Sequence, residues 1–277
     1  GVARIRTVTS TTFEVRVDNV GLSPFSGDVH FVAIEEGVYD EAGFKLEAAT
    51  YDASQTSRRG GWLIDTVGYQ QSYANPVVVG QVMTANDADW SVFWSSSSSR
   101  TSPANSGSMN LGKHVGEDSD RTRATETLGY IVIEATQDGT IEGMPFVAGV
   151  GSDSVRGVDN GTYQYGYDAM PLAKTAVLSS AGMDGGDGGW PVLRGDNALP
   201  PASGTINLSI DEDQFRDSER KHTTEQVAYL VIDSPDAPAQ MRASGDGSVS
   251  PLNSLPKIEE PSLSLHQREQ ATDLIAA

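Results

Sequence analysis

The sequence predicts an all-β protein of tandem antiparallel β-sandwich domains that ends in a Pro/Ser-rich tail. Its apolar runs are short and alternate with polar residues, which is the pattern of half-buried strands. Glycine, serine and threonine are abundant between these runs, as expected for turns. The same pattern returns after about one hundred residues, and a fixed period of this kind indicates tandem copies of one fold.

The first part of the chain resembles the second half of a repeat unit. Within residues 1–18, Phe13, Val15 and Val17 alternate with charged residues, so we expect two strands and a turn. A further strand is predicted at 30–34, and the following residues up to 75 are polar and glycine-rich. We therefore assign 1–74 to a partial repeat with connecting strands.

Two fuller copies follow. PVVVGQVMTANDADW at 76–90 aligns with AVLSSAGMDGGDGGW at 176–190, which lies 100 positions later. The strand ending at Glu134 aligns with that ending at Asp233, 99 positions later. We place the β-sandwich repeats at 75–172 and 173–233, although permuted units of roughly 1–100 and 101–200 fit the same period.

The composition changes after Asp233. Segment 234–277 is rich in proline and serine and is predicted to be a linker. Its end, 263–277, contains helix-forming residues and is predicted to form a short terminal helix.

Charge and composition exclude several classes of function. A formal net charge of −19 disfavours nucleic acids and anionic lipid surfaces, and it suits a salty exterior. The chain has no cysteine, which excludes disulfides and a cysteine nucleophile. No apolar run approaches the ~18 residues of a membrane span. Catalytic sequence motifs are also missing, so we expect a non-enzymatic protein located outside the cell or at its surface.

Two Asp-rich turns are candidate metal sites. Asp87 and Asp89 lie in the first turn, and Asp184 and Asp187 lie in the second. Carboxylate and carbonyl oxygens grouped in a glycine-rich turn are the ligands that calcium prefers. The alternative is that aspartate and glycine serve the turn geometry alone.

Tryptophans beside these turns are candidate ligand-binding residues. Trp190, Asp187 and Arg194 are predicted to form a saccharide cradle, and Trp90 and Trp94 are the related aromatic residues of the other copy. Sugars stack on exposed aromatic faces while charged groups bind their hydroxyls. Because a tryptophan recurs in both copies, packing in the sandwich core is the alternative interpretation.

A charged loop at 214–226 precedes the last strand and includes His222 and Glu225. A carboxylate and a histidine suit acid–base chemistry. We align Ala124 of the other copy with this histidine, which favours a structural role. In that role, the loop is held to the sheet by ion pairs and by a Thr–Glu brace.

The copies resemble the H-type lectin family of small β-domains and tandem repeats of large secreted bacterial proteins. The matching segments are the PVVVGQV strand with its Asp/Asn turn, RTVTSTTFEVRV at 6–17, and the closing strands GYIVIE and AYLVID. The resemblance implies sandwiches that bind carbohydrate and associate in threes. Within one chain, it implies copies packed around a pseudo-threefold axis.

Two functions follow as expectations. The first is an adhesion-type module that binds carbohydrate or a cell-surface protein and self-associates. The second is a structural subunit of an extracellular filament, surface layer or phage-like fibre, assembled through sheet edges and the tail. A lectin requires an exposed aromatic side chain in a concave site, whereas a structural subunit requires extensive protein–protein contacts.

Overall fold

The computed structural model describes residues 1–9, 12–21, 27–42, 44–168, 170, 175–233, 241–243, 249–251 and 274–276. Within these ranges the protein is built from β-strands and contains no α-helix; the one helical element is a single 3₁₀ turn at Val158–Asn160. The prediction of an all-β fold with antiparallel sheets is confirmed. No helix in the described ranges is long and apolar enough to cross a membrane.

The N-terminal segment supplies four short strands. β1 and β2 form an antiparallel pair in which Arg4 lies opposite Arg16. β3 and β4 lie 99 residues before the two ends of a long strand in the next copy. The strands are β1 (Val2–Arg6), β2 (Glu14–Asp18), β3 (Gly27–Val29) and β4 (Ala33–Glu35).

Seven strands form the first complete copy. They are β5 (Gly37–Glu41), β6 (Phe44–Ala53), β7 (Asp65–Thr66), β8 (Pro76–Val82), β9 (Val92–Ser96), β10 (Asn110–His114) and β11 (Glu126–Glu134). One sheet has the order β5-β6-β11-β8, and the other strands pair in the order β9-β10-β7. Apolar side chains from both sheets pack between them, including Val78, Leu111 and Val132.

The second complete copy repeats this order. Its strands are β12 (Thr136–Ile141), β13 (Met144–Val150), β14 (Tyr163–Gly166), β15 (Thr175–Ala181), β16 (Trp190–Leu193), β17 (Thr205–Asp211) and β18 (Val227–Ile232). The pairings are β12-β13-β18-β15 and β14-β17-β16. Each strand of the second complete copy therefore has a counterpart seven strands earlier in the chain.

The structural copies begin at a different point from the predicted repeats. They span 37–134 and 136–232, whereas the sequence comparison placed them at 75–172 and 173–233. The comparison missed the opening hairpins because 37–53 and 136–150 share backbone shape but little sequence. The N-terminal segment corresponds to the last strands of a further copy, as expected for a partial repeat; we call it the half copy (residues 1–35).

Little of the tail is described. β19 (Met241–Ala243) pairs with β3 and with β20 (Val249–Pro251), and β21 (Leu274–Ala276) pairs with β4. The predicted linker and terminal helix otherwise lie outside the described residues. Of the predicted terminal helix, residues 274–276 are described. They form β21, which pairs with β4 of the half copy.

The three copies pack against one another. One core cluster combines Ile5 of the half copy with Val77 of the first complete copy and Val177 of the second. A second cluster contains Val2, Trp90 and Trp190, again one from each copy. The two complete copies also share a seven-stranded sheet, because β9 pairs in parallel with β15. The mutual contacts required by a pseudo-threefold arrangement are therefore present.

Candidate functional site

The Asp-rich turn of the first complete copy is held by a buried glutamate. Glu126 opens β11, and its side chain is fully buried. Its Oε2 accepts a hydrogen bond from the backbone N–H of Asn86 at 3.1 Å, and its Oε1 accepts one from Asp87 at 2.9 Å. Arg4 of the half copy completes the arrangement with an ion pair of 3.0 Å to Oε1. Glu126, the glutamate of the predicted Thr–Glu brace, therefore holds the turn against β11.

The second complete copy repeats the brace with different partners. Glu225 accepts hydrogen bonds from the backbone N–H groups of Asp184, at 2.9 Å, and Gly185, at 2.7 Å. Its cation is His222, whose Nε2 lies 2.8 Å from Glu225 Oε1. The other ring nitrogen, Nδ1, bonds to Glu212. The imidazole is thus held between two carboxylates beneath the turn.

These carboxylates set the charge of His222. Burial alone would lower its pKa, but the hydrogen bonds and negative charges of Glu212 and Glu225 raise the pKa to about 9. Burial raises the pKa of Glu212. His222 is 4% exposed, which agrees with the structural role expected for the charged loop.

The counterpart of His222 in the first complete copy is Arg123, not Ala124. Each residue lies three positions before the bracing glutamate. The Arg123 side chain is buried; its Nε donates to the carbonyl of Trp90 at 2.9 Å, and its guanidinium pairs with Asp118 at 2.9 Å. A cation at this position is therefore common to both copies, and it holds the charged loop in each.

The predicted calcium ligands do not converge. Both carboxylate oxygens of Asp87 accept backbone hydrogen bonds, at 3.0 and 2.8 Å. The Asp187 carboxylate pairs with Arg59 at 2.6 Å, and Asp89 is exposed. Burial and the nearby charge of Glu225 raise the pKa of Asp184, which disfavours its ionised form. Within the described ranges, no group of three His, Cys, Asp or Glu side chains is placed to hold a metal ion, and calcium binding stays a prediction.

The tryptophans form part of the core. Trp90 and Trp190 are each 5% exposed, and their ring centroids lie 5.5 Å apart in an edge-to-face contact. Phe215 stacks on Trp90 at 6.2 Å, and the fully buried Trp94 contacts Trp62. The burial of these rings agrees with packing in the core, which is the alternative interpretation from the sequence.

The saccharide cradle expected from Trp190, Asp187 and Arg194 is not formed. The Trp190 ring is covered by Trp90 of the preceding copy. The Asp187 carboxylate forms an ion pair with Arg59, which belongs to the same neighbouring copy. Arg194 is exposed beyond the end of β16. Sequence alone does not give exposure, and stacking on a sugar requires an exposed ring face.

Arginines between the copies are the feature that the sequence comparison missed. Arg4 of the half copy donates to the carbonyl oxygens of Thr84, at 2.9 Å, and Asp89, at 2.8 Å, in the turn of the first complete copy. Arg100 of that copy donates to the carbonyl of Gly185, at 3.0 Å, in the turn of the second. The two arginines are 96 positions apart, off the period of the repeat, so no alignment of the copies reveals them.

A third set of contacts connects the second complete copy to the half copy. The N–H of Gln214 donates to the carbonyl of Val20 at 3.0 Å, and Val2 and Trp190 belong to one core cluster. Every copy therefore contacts both others.

Comparison with known proteins gives one informative match. The chain is 27% identical over 275 residues to Halomucin of Haloquadratum walsbyi (strain DSM 16790 / HBSQ001). The match covers 95% of this chain but 3% of Halomucin. No family model and no solved structure matches the chain. The resemblance to H-type lectins therefore stays a prediction.

Proposed function

We propose that this chain is a non-enzymatic structural module of a long protein exposed outside the cell. This is the second of the two functions expected from the sequence. The observation that carries it is the packing of three copies around a common core, with arginine side chains reaching from one copy to the next. Such contacts fix the copies relative to one another, as a spacing element requires.

The match to Halomucin supports an extracellular location. This chain corresponds to a small part of a very long protein, as a repeated building block would. The net charge of −19 keeps such a block soluble, and dissolved ions at high salt screen the repulsion between its carboxylates.

Carbohydrate binding receives no comparable support from the geometry. Trp90, Trp94 and Trp190 are buried, and the half-buried Trp62 packs against Trp94. The exposed aromatic Phe215 uses one face to stack on Trp90. The large apolar side chains that are exposed among the described residues, Val38, Leu63 and Phe215, belong to separate segments. They do not line a concave site with convergent polar groups, which is the usual form of a ligand pocket.

A protease-resistance assay tests the structural role. We expect the wild-type protein to resist thermolysin at molar salt as one block. Arg100→Met removes the hydrogen bonds to the next copy and should increase cleavage near the joint several-fold, by loss of roughly 1–3 kcal/mol of local stability. Arg121→Met is the matched control, because Arg121 is exposed. Equal cleavage of the two variants would contradict the proposal.

A glycan array, screened with and without calcium, tests the competing function. The structural role predicts no reproducible binding to any glycan under either condition. Saturable binding of one glycan class by the folded monomer would instead establish a lectin and overturn the proposal.

A further inference from the structure

Two Asn-X-Ser/Thr triplets occur in the sequence, and both lie in the second complete copy. They span 160–162 and 207–209, with glycine and leucine at their middle positions. A triplet of this kind, without proline in the middle, is the acceptor pattern for an N-linked glycan on an exported protein. Because so short a pattern also arises by chance, the surroundings of each asparagine decide whether it can serve as an acceptor.

The triplet at 207–209 is closed to modification. Asn207 lies in β17, the middle strand of the sheet β14-β17-β16. Its Nδ2 donates to the carbonyl of Asn197 at 3.0 Å, and its Oδ1 accepts a hydrogen bond from Gln164 at 2.8 Å. Ser209 is buried, and its hydroxyl donates to the carbonyl of Gly161 at 2.7 Å. Both the amide nitrogen and the hydroxyl that a transferase recognises are therefore already in use.

The triplet at 160–162 is open. Asn160 ends the 3₁₀ turn Val158–Asn160, and the two residues after it, Gly161 and Thr162, are exposed. The Asn160 side chain is half-buried, and its Oδ1 accepts a hydrogen bond from the backbone N–H of His222 at 3.1 Å. Its Nδ2 reaches solvent and donates no hydrogen bond to any described residue. The atom that carries an N-linked glycan is thus accessible at this triplet.

The backbone around Asn160 leaves room for an attached group. Gly161 has φ +124°, a conformation that favours glycine, and a Cβ added to it would meet nothing within 4 Å. The carbonyl of Gly161 is held by Ser209, and the Asn160 amide oxygen is held by His222. The turn is therefore fixed in position, with open space beside the accessible nitrogen.

We propose that Asn160 is a glycosylation site, with an N-linked glycan on Nδ2 transferred from a polyprenyl pyrophosphate-linked donor by a transferase. The transfer forms a bond from C1 of the first sugar to Nδ2 and breaks the bond from C1 to the pyrophosphate oxygen. The pyrophosphate leaves with the bonding electron pair, and the amide releases one proton. Asn207 stays unmodified in the folded protein.

This inference rests on the proposed function, because such transfer acts on exported proteins. It adds a defined modification to the structural module. The glycan would lie beside the charged loop, since the backbone N–H groups of Arg220 and His222 donate to the side chains of Asp159 and Asn160, at 2.8 and 3.1 Å. A bulky, well-hydrated chain at this place would help to keep neighbouring modules soluble and apart.

In vitro transfer to the folded full chain tests the proposal. The reagents are a polyprenyl pyrophosphate-linked glycan and an oligosaccharyltransferase that requires only the Asn-X-Ser/Thr triplet. Trypsin separates the two candidates into peptides 157–174 and 195–216, which are then weighed by mass spectrometry. We expect the glycan on peptide 157–174 and none on peptide 195–216. The free peptide 157–166 is the positive control for the enzyme.

Variants at Thr162 test recognition of the triplet without altering Asn160 itself. Thr162→Ala should abolish the modification and Thr162→Ser should retain it, and both should fold as the wild type does because Thr162 is exposed. The inference is overturned if Asn160 stays unmodified while the free peptide is modified, if Asn207 is modified equally, or if Thr162→Ala keeps the glycan. Thermolysin resistance of the unmodified protein tests the structural role separately, so failure of one is distinguishable from failure of the other.

Discussion

Raising the pH from about 6 to above 9 should remove about 3 kcal/mol of stability through His222. Its pKa is about 9 in the folded protein, against an ordinary value of 6.5. A pKa difference of about 2.5 corresponds to about 3 kcal/mol, at ~1.36 kcal/mol per pKa unit. The cause is the ion-paired contact with Glu212 and Glu225, which outweighs the burial of the ring.

The direction of the effect follows from the raised pKa. The folded protein binds the proton of His222 more tightly than the unfolded chain does. The stabilisation is therefore complete below pH 6.5 and is lost as the pH rises through about 9. Lys113 acts in the opposite direction at higher pH, because burial lowers its pKa. Comparison with a His222→Gln variant removes this and other shared contributions.

Urea denaturation of the wild type and His222→Gln, at several pH values and constant molar salt, provides the measurement. At about pH 6 the variant should be less stable by roughly 3–5 kcal/mol, because two carboxylates lose a buried cation. Above about pH 9 the difference should shrink by about 3 kcal/mol, as the wild-type histidine loses its proton. A difference that stays constant across this range would refute the charged brace.

Three further predictions follow from the turns. Glu126→Gln removes the closer of the two carboxylates that pair with Arg4 and should lower the free energy of unfolding by about 2–4 kcal/mol in urea titrations. Glu36→Gln, at an exposed position, should have no measurable effect. Gly188→Ala should cost about 1–3 kcal/mol in the same assay, since Gly188 has φ +82° and an added Cβ would lie 2.9 Å from Gly116 Cα; Gly186→Ala is the control, with nothing within 4 Å. A chelator should leave the melting temperature unchanged, because the Asp87 and Asp187 carboxylates already have protein partners; a clear fall would restore the calcium hypothesis.

The fold class and the repetition are readable in the sequence because both depend on local patterns. Short apolar runs such as Val77–Val79 and Tyr130–Ile133 mark buried strands, and the recurrence of those strands marks copies. The start of a copy is less readable, because hairpins such as β5–β6 and β12–β13 require turn geometry but little common sequence.

The candidate site was predicted less well because its residues depend on tertiary contacts. Trp90 and Trp190 have the residue type and spacing of sugar platforms, but their exposure is determined by how the copies pack. His222 is visible in the sequence, whereas Glu212, its second partner, becomes important only when the charged loop folds back. Arg4 and Arg100 do not recur at the repeat period, although both donate hydrogen bonds from one copy to the next.

The seven-stranded sheet shared by the two complete copies has a consequence for how they melt. β15 takes hydrogen bonds from β18 of its own copy and from β9 of the other, so neither copy loses its order without exposing an edge of its neighbour. Exposed apolar edges are costly and prone to aggregation. The pair should therefore give a single calorimetric transition, with a van't Hoff enthalpy equal to the total heat absorbed. Expressing residues 136–233 alone should produce an insoluble fragment, even though that stretch contains a complete set of strands.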